Sequence, residues 1–355
     1  MQAVQSLVQS VHHVPNGDGW LMAVKQTYAP ARIERKRRPI AIVPGYGMNA
    51  FIFGYHPTGK PMEIYWAEKG FEVWSVNLRA QDGSIRTGGR RTYGFYDAAV
   101  TDLDRVLEYI VRHTATGQDR VDGVGCSLGG TYLFVYLACL RDRSRLGAVV
   151  AIGAPLRLKG VHPVLKAAFG SPRLAGKLSI RGVRPLARLV MPVLKHLPIL
   201  HMYLHPAIVD TSKMNEMIKT VENPNPLLNR EIAEWIRSED LIVRGVNVTQ
   251  GVALSDNPLL VVLSNADGIV PEASALSAYE IMGSTRKDIL RVGTPTVPVA
   301  HADLFVSNIA QEWVFEPLAR WLAEVGDQRK QKPRKAAGRT IPLAGKKRPQ
   351  SPPGS

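Results

Sequence analysis

The stretch Gly125-Cys126-Ser127-Leu128-Gly129 joins a short strand candidate, residues 121–124, to a helix-like apolar run at residues 131–140. A serine with a glycine two positions away on each side is typical of a sharp turn from a strand into a helix, because glycine lacks the β-carbon that would block the turn. Such a turn holds the Ser127 hydroxyl at the end of a sheet, beside the unpaired N–H groups of a helix start. We therefore predict strand, turn and helix here, with Ser127 as a candidate nucleophile. An ordinary turn with a buried serine is the alternative.

Two residues further along the chain are candidate partners for this serine. Residues 258–263 form a short apolar run typical of a buried strand, and Asp267 follows in the loop after it. Residues 289–292 predict a later strand, and His301 follows in the loop beyond it. Alone, Asp267 would be a turn residue before a glycine and His301 a surface or capping histidine. Their order after Ser127 favours a shared site of three side chains.

The rest of the chain alternates strand-like and helix-like segments. Alternation of this kind predicts a mostly parallel sheet with helices on both faces. An Asn16-Gly17-Asp18-Gly19 turn between apolar flanks predicts a β-hairpin over residues 11–28 at a sheet edge. Further strands are predicted at residues 39–43, 71–77 and 146–152, and helices at 61–70, 98–113 and 308–325. Pro317 should kink or restart the last of these helices.

The alternation stops at residue 155 and resumes at residue 258, which divides the chain into four parts. We predict an N-terminal part of the core at residues 1–154, an inserted, mainly helical cap at 155–257, a C-terminal part of the core at 258–326, and a tail at 327–355. The tail is rich in Lys, Arg and Pro and has no aromatic residue, so it cannot bury enough apolar area to fold and is predicted to be disordered. Three prolines in residues 180–205 predict short broken helices.

Composition excludes several classes of protein. The chain has 355 residues, a net charge of +15 and 45% hydrophobic residues, which allows one large domain with an insertion. Two cysteines, Cys126 and Cys139, cannot form a disulfide framework and favour a reducing compartment. Neither a secretory signal at residues 1–11 nor an apolar run of roughly 20 residues is present, so we expect a cytoplasmic protein, with peripheral attachment to a membrane as the alternative.

At the level of motifs the sequence resembles the α/β-hydrolase family. The likeness lies in Pro44-Gly45-Tyr46-Gly47, in Asn77-Leu78-Arg79, in the glycine-flanked Ser127, in residues 265–271 and in His301. The chain order Ser, Asp, His is the order of that family and differs from those of two well-known serine protease families. The resemblance covers about residues 11–325 without the insertion.

This resemblance implies an oxyanion hole and an activity. The backbone N–H groups of Tyr46 and Leu128 correspond to the family's two oxyanion donors, although Pro44 stands where the family often has histidine. We therefore expect a serine hydrolase with catalytic Ser127, Asp267 and His301 that cleaves carboxylic esters through an acyl-serine. A large apolar cap favours lipid-like acyl esters. No cofactor is expected.

Cys126 is a second conceivable nucleophile. The N-terminal half, in particular residues 53–79, faintly resembles polyhydroxyalkanoate synthases, acyltransferases of this fold that use cysteine. That role would need glycines at positions 124 and 128, where the chain has Val124 and Leu128. The spacing favours Ser127, with Cys126 packed behind the turn.

Three alternatives stay open from sequence. The enzyme could be an acyltransferase or thioesterase of the same fold, or the chain could be a catalytically inactive hydrolase that binds membranes or polyanions. The basic tail and a cap stretch without acidic residues, 155–209, indicate an anionic membrane surface or polyanion as a partner, but no specific nucleic acid. His196, His201 and His205 lie at roughly helical spacing, yet no cysteine or glutamate lies near them, so no metal site is predicted.

Overall fold

A computed structural model of the chain describes residues 6–177, 182–194, 198–327 and 339–341. Its strands are β1 (Val8–Pro15), β2 (Trp20–Tyr28), β3 (Ile40–Val43), β4 (Val73–Val76), β5 (Ile85–Arg86), β6 (Val121–Cys126), β7 (Leu146–Ile152), β8 (Ile242–Val243), β9 (Val246–Asn247), β10 (Leu259–Ser264), β11 (Lys287–Val292) and β12 (Arg339–Ile341). Its α-helices are α1 (Met62–Glu68), α2 (Leu103–His113), α3 (Leu128–Leu140), α4 (Pro163–Ala168), α5 (Pro172–Ala175), α6 (Val183–Leu194), α7 (Met214–Met217), α8 (Pro226–Ser238), α9 (Val248–Ala253), α10 (Glu272–Ala275), α11 (Ser277–Ile281), α12 (Asp303–Val306) and α13 (Glu316–Asp327). Among the residues that the structure describes, no helix is long and apolar enough to cross a membrane.

One sheet of ten strands organises the core. Its order is β1-β2-β4-β3-β6-β7-β10-β11-β12, with β5 paired to β2. The first two strands form the predicted antiparallel hairpin at one edge, and every pairing from β4 to β12 is parallel. In parallel strands the carboxyl ends meet at one edge of the sheet, where the loops carry functional residues. The predicted α/β architecture with a mostly parallel sheet is confirmed.

Apolar side chains cover both faces of the sheet. On one face, α2 and α3 pack through residues such as Leu107 and Phe134, and on the other face Trp66 of α1 packs near Trp321 of α13. Every side chain of α3 from Leu128 to Leu137 is buried. A helix that is apolar on all sides is a helix enclosed by protein, and this explains why residues 131–140 show no polar face in the sequence.

The last helix confirms the effect predicted for Pro317. A π-helical turn at Gln311–Phe315 precedes α13, which starts at Glu316. Proline lacks the N–H that would continue the preceding helix, but it is tolerated in the first turn of a new one. The helix therefore restarts at this residue.

Between β7 and β10 lies the inserted segment, which is mainly helical as predicted. It contains α4 to α9 and the two-stranded pair of β8 and β9. The prediction of short broken helices is partly wrong, because α6 is 12 residues long and continues through Pro185 and Pro192. A short 3-10 turn, Pro198–Met202, is the next helical element after it in the described residues. The boundaries of the four predicted parts stay predictions.

The tail contributes one short strand, which the prediction of disorder missed. Arg339 to Ile341 form β12, parallel to β11 at the far edge of the sheet. The edge of a parallel sheet presents unpaired N–H and C=O groups, which accept an additional extended segment. At these three residues the tail therefore differs from the expected disorder. The other tail residues after Asp327 lie outside the described residues.

A buried ion pair links the loop after β4 to the start of the α2 region. The Arg79 guanidinium donates to both carboxylate oxygens of Asp102, over 2.8 Å from Nε to Oδ2 and 2.7 Å from Nη2 to Oδ1. Asn16 donates to the same carboxylate over 2.7 Å, and Arg79 also contacts Asp18 at 2.7 Å. Because both partners of the pair are fully enclosed, loss of either one would leave an uncompensated charge in the core.

We expect Asp102→Ala to lower the free energy of unfolding by about 3–5 kcal/mol, because it strands the Arg79 charge in the protein interior. Urea denaturation followed by circular dichroism measures this change. The control is Asp142→Ala, which removes one partner of the exposed pair with Arg141 and should leave the midpoint unchanged. Equal midpoints for Asp102→Ala and wild type would contradict a stabilising role for the buried pair.

Candidate active site

The turn between β6 and α3 holds Ser127 in a strained conformation. Its backbone φ is +51° and its ψ is −125°, a region that side chains other than glycine rarely adopt. Close packing of the flanking glycines enforces the turn. A β-carbon at Gly129 would lie 2.1 Å from the Val43 carbonyl oxygen, and one at Gly125 would lie 2.3 Å from Gly130 Cα. Strain of this kind, held by its surroundings, is typical of functional residues.

Asp267 and His301 form a buried hydrogen-bonded pair. They lie on the loops after β10 and β11, and His301 Nδ1 is 2.7 Å from Asp267 Oδ2, with side-chain exposures of 5% and 4%. The other oxygen, Asp267 Oδ1, accepts the N–H groups of Ile269 and Val270, each over 2.8 Å. These bonds fix the carboxylate, which in turn orients the imidazole through Nδ1 and leaves Nε2 as the ring nitrogen that Asp267 does not contact.

The end of β7 lies between this pair and Ser127. Ser127 N donates to the Ile152 carbonyl over 2.8 Å, which fixes the serine beside that strand end. At the next residue, a β-carbon on Gly153 would lie 3.0 Å from His301 Cε1 and 3.3 Å from Asp267 Oδ2. The serine turn and the histidine therefore contact consecutive residues of one strand end.

The structure brings Asp267 and His301 into contact, but it does not bring His301 and Ser127 into hydrogen-bond contact. Within the described part of the chain, the half-buried Ser127 hydroxyl makes no hydrogen bond. Catalytic hydrogen bonds are often long in a free enzyme and shorten in the complex with substrate. The catalytic roles of these three side chains stay predictions.

The two predicted oxyanion donors lie on either side of the serine turn. Leu128 is the first residue of α3, so its N–H has no partner within the helix. The loop that carries Tyr46 approaches from the end of β3, where a β-carbon on Gly45 would lie 2.8 Å from Ser127 Cβ. Backbone amides at these two positions are suited to a negative charge that develops beside Ser127.

The loop of Tyr46 is bonded to the cap. Tyr46 Oη donates to Asn229 Oδ1 of α8 over 2.5 Å, and burial raises the pKa of Tyr46 to about 12. On the same loop, Gly47 accepts the Glu222 N–H over 2.7 Å, and Met48 forms a β-bridge with Val221. Proline at position 44 cannot make the side-chain hydrogen bonds that a histidine would make there. Bonds from residues 221, 222 and 229 hold this loop instead.

Asp303 is a buried carboxylate of the site that sequence reasoning missed. Its oxygens accept the Ala300 N–H over 2.7 Å and the His205 N–H over 3.0 and 3.2 Å. Burial raises the pKa of Asp303 to about 6. Through these hydrogen bonds Asp303 connects the loop of His301 to the inserted segment at His205. Its place two residues after His301 is visible in the sequence, but nothing in the sequence indicates its buried contacts.

The same inserted segment is bonded to the loops of both Asp267 and His301. The Gly268 N–H donates to the Met202 carbonyl over 3.0 Å, and the Ala302 N–H donates to the Tyr203 carbonyl over 2.7 Å. Gly268 directly follows Asp267 in the sequence, and Ala302 directly follows His301, so each of these bonds lies next to one of the two residues. The inserted segment therefore supports the loops of both residues.

Cys126 lies behind the turn, as predicted. It is free and only 1% exposed, and burial raises the pKa of its thiol. A buried thiol whose pKa is raised carries little thiolate, which is the reactive form. This environment favours Ser127 over Cys126 as the nucleophile.

The cap histidines do not assemble a metal site in the described part of the chain. The rings of His201 and His205 lie with centroids 5.3 Å apart. Among the described residues, no group of three or more His, Cys, Asp or Glu side chains could hold a metal ion. His196, the third histidine considered in the sequence, lies outside the described residues.

Asp303 generates a prediction for the pH dependence of stability. Its pKa rises from 3.8 to about 6 on folding, so the native state binds the proton more tightly and loses stability as pH rises through this interval. Between about pH 4 and about pH 7, the free energy of unfolding of wild type should therefore fall by up to about 3 kcal/mol relative to that of Asp303→Asn. Urea denaturation across this range measures the difference. The exposed Asp256→Asn is the control, and parallel stability profiles for Asp303→Asn and wild type would contradict the prediction.

Comparison with known proteins agrees with this fold. The family model for the alpha/beta hydrolase fold matches residues 39–180. No curated protein matches the chain significantly in sequence. Among solved structures, an esterase from Exiguobacterium antarcticum is 14% identical, covering 89% of this chain and 100% of its own, with a TM-score of 0.58.

Two further solved structures are similar over nearly their whole length. A monoacylglycerol lipase from Paleococcus ferrophilus is 15% identical, covering 90% of this chain and 99% of its own, with a TM-score of 0.58. The 2-hydroxy-6-oxo-6-phenylhexa-2,4-dienoate hydrolase from Rhodococcus sp. strain RHA1 is 14% identical, with coverages of 90% and 99% and a TM-score of 0.57. Identities this low establish the fold and not the substrate. The chain is therefore an α/β-hydrolase-fold protein.

Proposed function

We propose that this protein is a serine hydrolase that cleaves carboxylic esters, with Ser127 as nucleophile, His301 as general base and Asp267 as the residue that orients His301. The observation that carries the proposal is the buried Asp267–His301 hydrogen bond of 2.7 Å, next to a serine held at φ +51°. A carboxylate, an imidazole and a half-buried hydroxyl at the carboxyl ends of strands in one parallel sheet are the groups that acyl transfer requires.

In the first half of the reaction Ser127 attacks the ester carbonyl. A serine hydroxyl is a weak nucleophile at neutral pH, so His301 Nε2 takes its proton as the Oγ–C bond forms. Asp267 holds Nδ1–H and stabilises the imidazolium. The Tyr46 and Leu128 N–H groups stabilise the negative oxygen, and one such donor typically contributes about 3 kcal/mol.

The second half of the reaction releases the products. The imidazolium returns its proton to the leaving alcohol oxygen as the C–O bond of the ester breaks, which leaves an acyl-serine. Water then attacks this carbonyl, with His301 again accepting the proton, and the carboxylic acid leaves as Ser127 regains its hydrogen. If an alcohol or thiol reaches the acyl-serine before water, the same site is an acyltransferase, which is the principal alternative.

The cap supports a substrate with an apolar acyl group. Its segments bond both to the loop of Tyr46 and to the loops of Asp267 and His301. A cap joined to both sides of the site is suited to cover the acyl chain of a lipid-like ester. Cytoplasmic localisation, and binding of the basic tail to anionic membranes or polyanions, stay predictions.

We expect Ser127→Ala to lower kcat for p-nitrophenyl ester hydrolysis by about 10⁴-fold or more, because it removes the atom that forms the acyl bond. The matched control is the neighbouring Cys126→Ala, which should keep activity near that of wild type. A fluorophosphonate probe should label wild type and Cys126→Ala but not Ser127→Ala. Equal rates for Ser127→Ala and wild type would remove Ser127 from the mechanism. A wild type that neither hydrolyses these esters nor reacts with the probe would contradict the hydrolase proposal itself.

We expect Asp267→Asn to lower kcat by about 10⁴-fold with little change in KM, since an amide at this place stabilises neither the correct tautomer nor the imidazolium. Steady-state kinetics across pH measures both constants. Asn265, on the same loop, provides the control, because Asn265→Ala removes bonds to Thr294 and Val299 without touching His301. A larger loss of kcat in Asn265→Ala than in Asp267→Asn would indicate that Asp267 supports the loop and does not act on His301.

A further inference from the structure

Exposed apolar side chains concentrate in the cap. Large apolar residues are exposed at nine of the described positions, and five of these lie between residues 164 and 190. The five are Val164 of α4, Leu174 of α5, and Leu186, Leu189 and Val190 of α6. Concentrated exposure of this kind on a folded protein indicates an interaction site, whereas singly scattered apolar residues need no explanation.

On α6 three of these residues form one face. Leu189 and Val190 lie three and four residues after Leu186, which places all three on one side of the helix. Their exposed fractions are 50%, 76% and 41%. An amphipathic helix normally turns its apolar face to the core, so this one has the reverse orientation.

Arg184 explains the orientation of α6. Its guanidinium donates to the Val221 carbonyl over 2.7 Å and to Glu222 Oε1 over 2.7 Å. The Val183 N–H donates to Asn223 over 3.1 Å. The start of α6 is therefore bonded to segment 221–223 through its polar groups, and the face of Leu186 and Leu189 is left outward.

The stretch of chain that carries this face has charge of a single sign. Residues 155–209 contain nine Lys and Arg and no Asp or Glu, and the acidic residues that approach α6, Asp82 and Glu222, are paired with Arg184. A helix with Leu and Val on one face, exposed Arg188 on the other and no acidic residue of its own is suited to the boundary between lipid headgroups and acyl chains. The charge favours anionic headgroups.

We propose that α6 docks this outward face, formed by Leu186, Leu189 and Val190, on an anionic lipid surface. The apolar side chains enter the acyl region, and the exposed Arg188 on the other side of the helix adds to the electrostatic attraction of anionic headgroups. Segment 221–223, which holds α6, also forms the β-bridge with Met48 beside the Tyr46 loop. Docking therefore acts on a helix that is connected, through segment 221–223, to the loop of Tyr46. That the substrate is a lipid-borne ester rests on the proposed function, whereas docking itself does not.

Co-sedimentation of the full chain with vesicles tests the docking. The probes are phosphatidylcholine vesicles with and without phosphatidylserine. Leu186→Ser with Leu189→Ser should lower the partition coefficient on anionic vesicles by about tenfold or more, because two apolar anchors are lost. The matched control is Leu254→Ser, a leucine 67% exposed outside the basic stretch, which should bind as wild type does. Arg188→Glu should weaken binding to anionic vesicles and leave the weak binding to neutral vesicles unchanged.

Hydrolysis of the water-soluble p-nitrophenyl acetate separates the two proposals. It should be equal in wild type and in the α6 variants, so failure of the hydrolase proposal leaves the vesicle result interpretable. Unchanged vesicle binding in the leucine variants would overturn the docking proposal and assign binding to the tail. Conversion of a dimer to a monomer by the leucine variants would also overturn the docking proposal. The same holds if Arg188→Glu weakens binding to duplex DNA while the leucine variants keep their affinity for vesicles.

Discussion

Everything in the candidate site depends on the close contact between the first turn of α3 and the end of β3. Gly129 approaches the Val43 carbonyl so closely that a β-carbon would overlap it at 2.1 Å. With α3 this close, the chain leaves β6 by one sharp turn, and Ser127 is forced to a positive φ. The packing of a wholly apolar helix against the sheet thereby provides the energy that holds the serine in its strained conformation.

The parallel sheet converts distant sequence positions into neighbours. Ser127, Asp267 and His301 follow three different strands, and strands that run parallel bring their carboxyl ends to one edge. Hydrogen bonds to the cap then hold the surrounding loops: Asn229 bonds to Tyr46, and His205 bonds to Asp303 beside the histidine. In this structure core and cap are therefore one bonded unit around the site.

Much of this could be predicted from the sequence, and the reason is physical. Glycines that must permit close approach, apolar strands, and polar residues directly after them leave patterns at fixed spacing, as around Ser127 and Asp267. Contacts between the cap and the core leave no such pattern. The roles of Asp303, Glu222 and Arg184 depend on which segments meet in space, and so they were not predictable.

The remaining differences have the same origin. The strand β12 forms because an edge of the sheet is open, a property of the folded core and not of residues 339–341. The helix α6 continues through Pro192, where the local sequence predicts a break. At β12 a tertiary contact therefore overrides the local preference of the chain.

A crystal structure of the protein treated with an alkyl phosphonate ester tests the central claim most directly. The account predicts a covalent bond from phosphorus to Ser127 Oγ, the phosphoryl oxygen accepting the Tyr46 and Leu128 N–H groups, and His301 Nε2 within hydrogen-bond distance of an oxygen on phosphorus. An adduct on another residue, or an imidazole that stays out of reach of the modified serine, would contradict it.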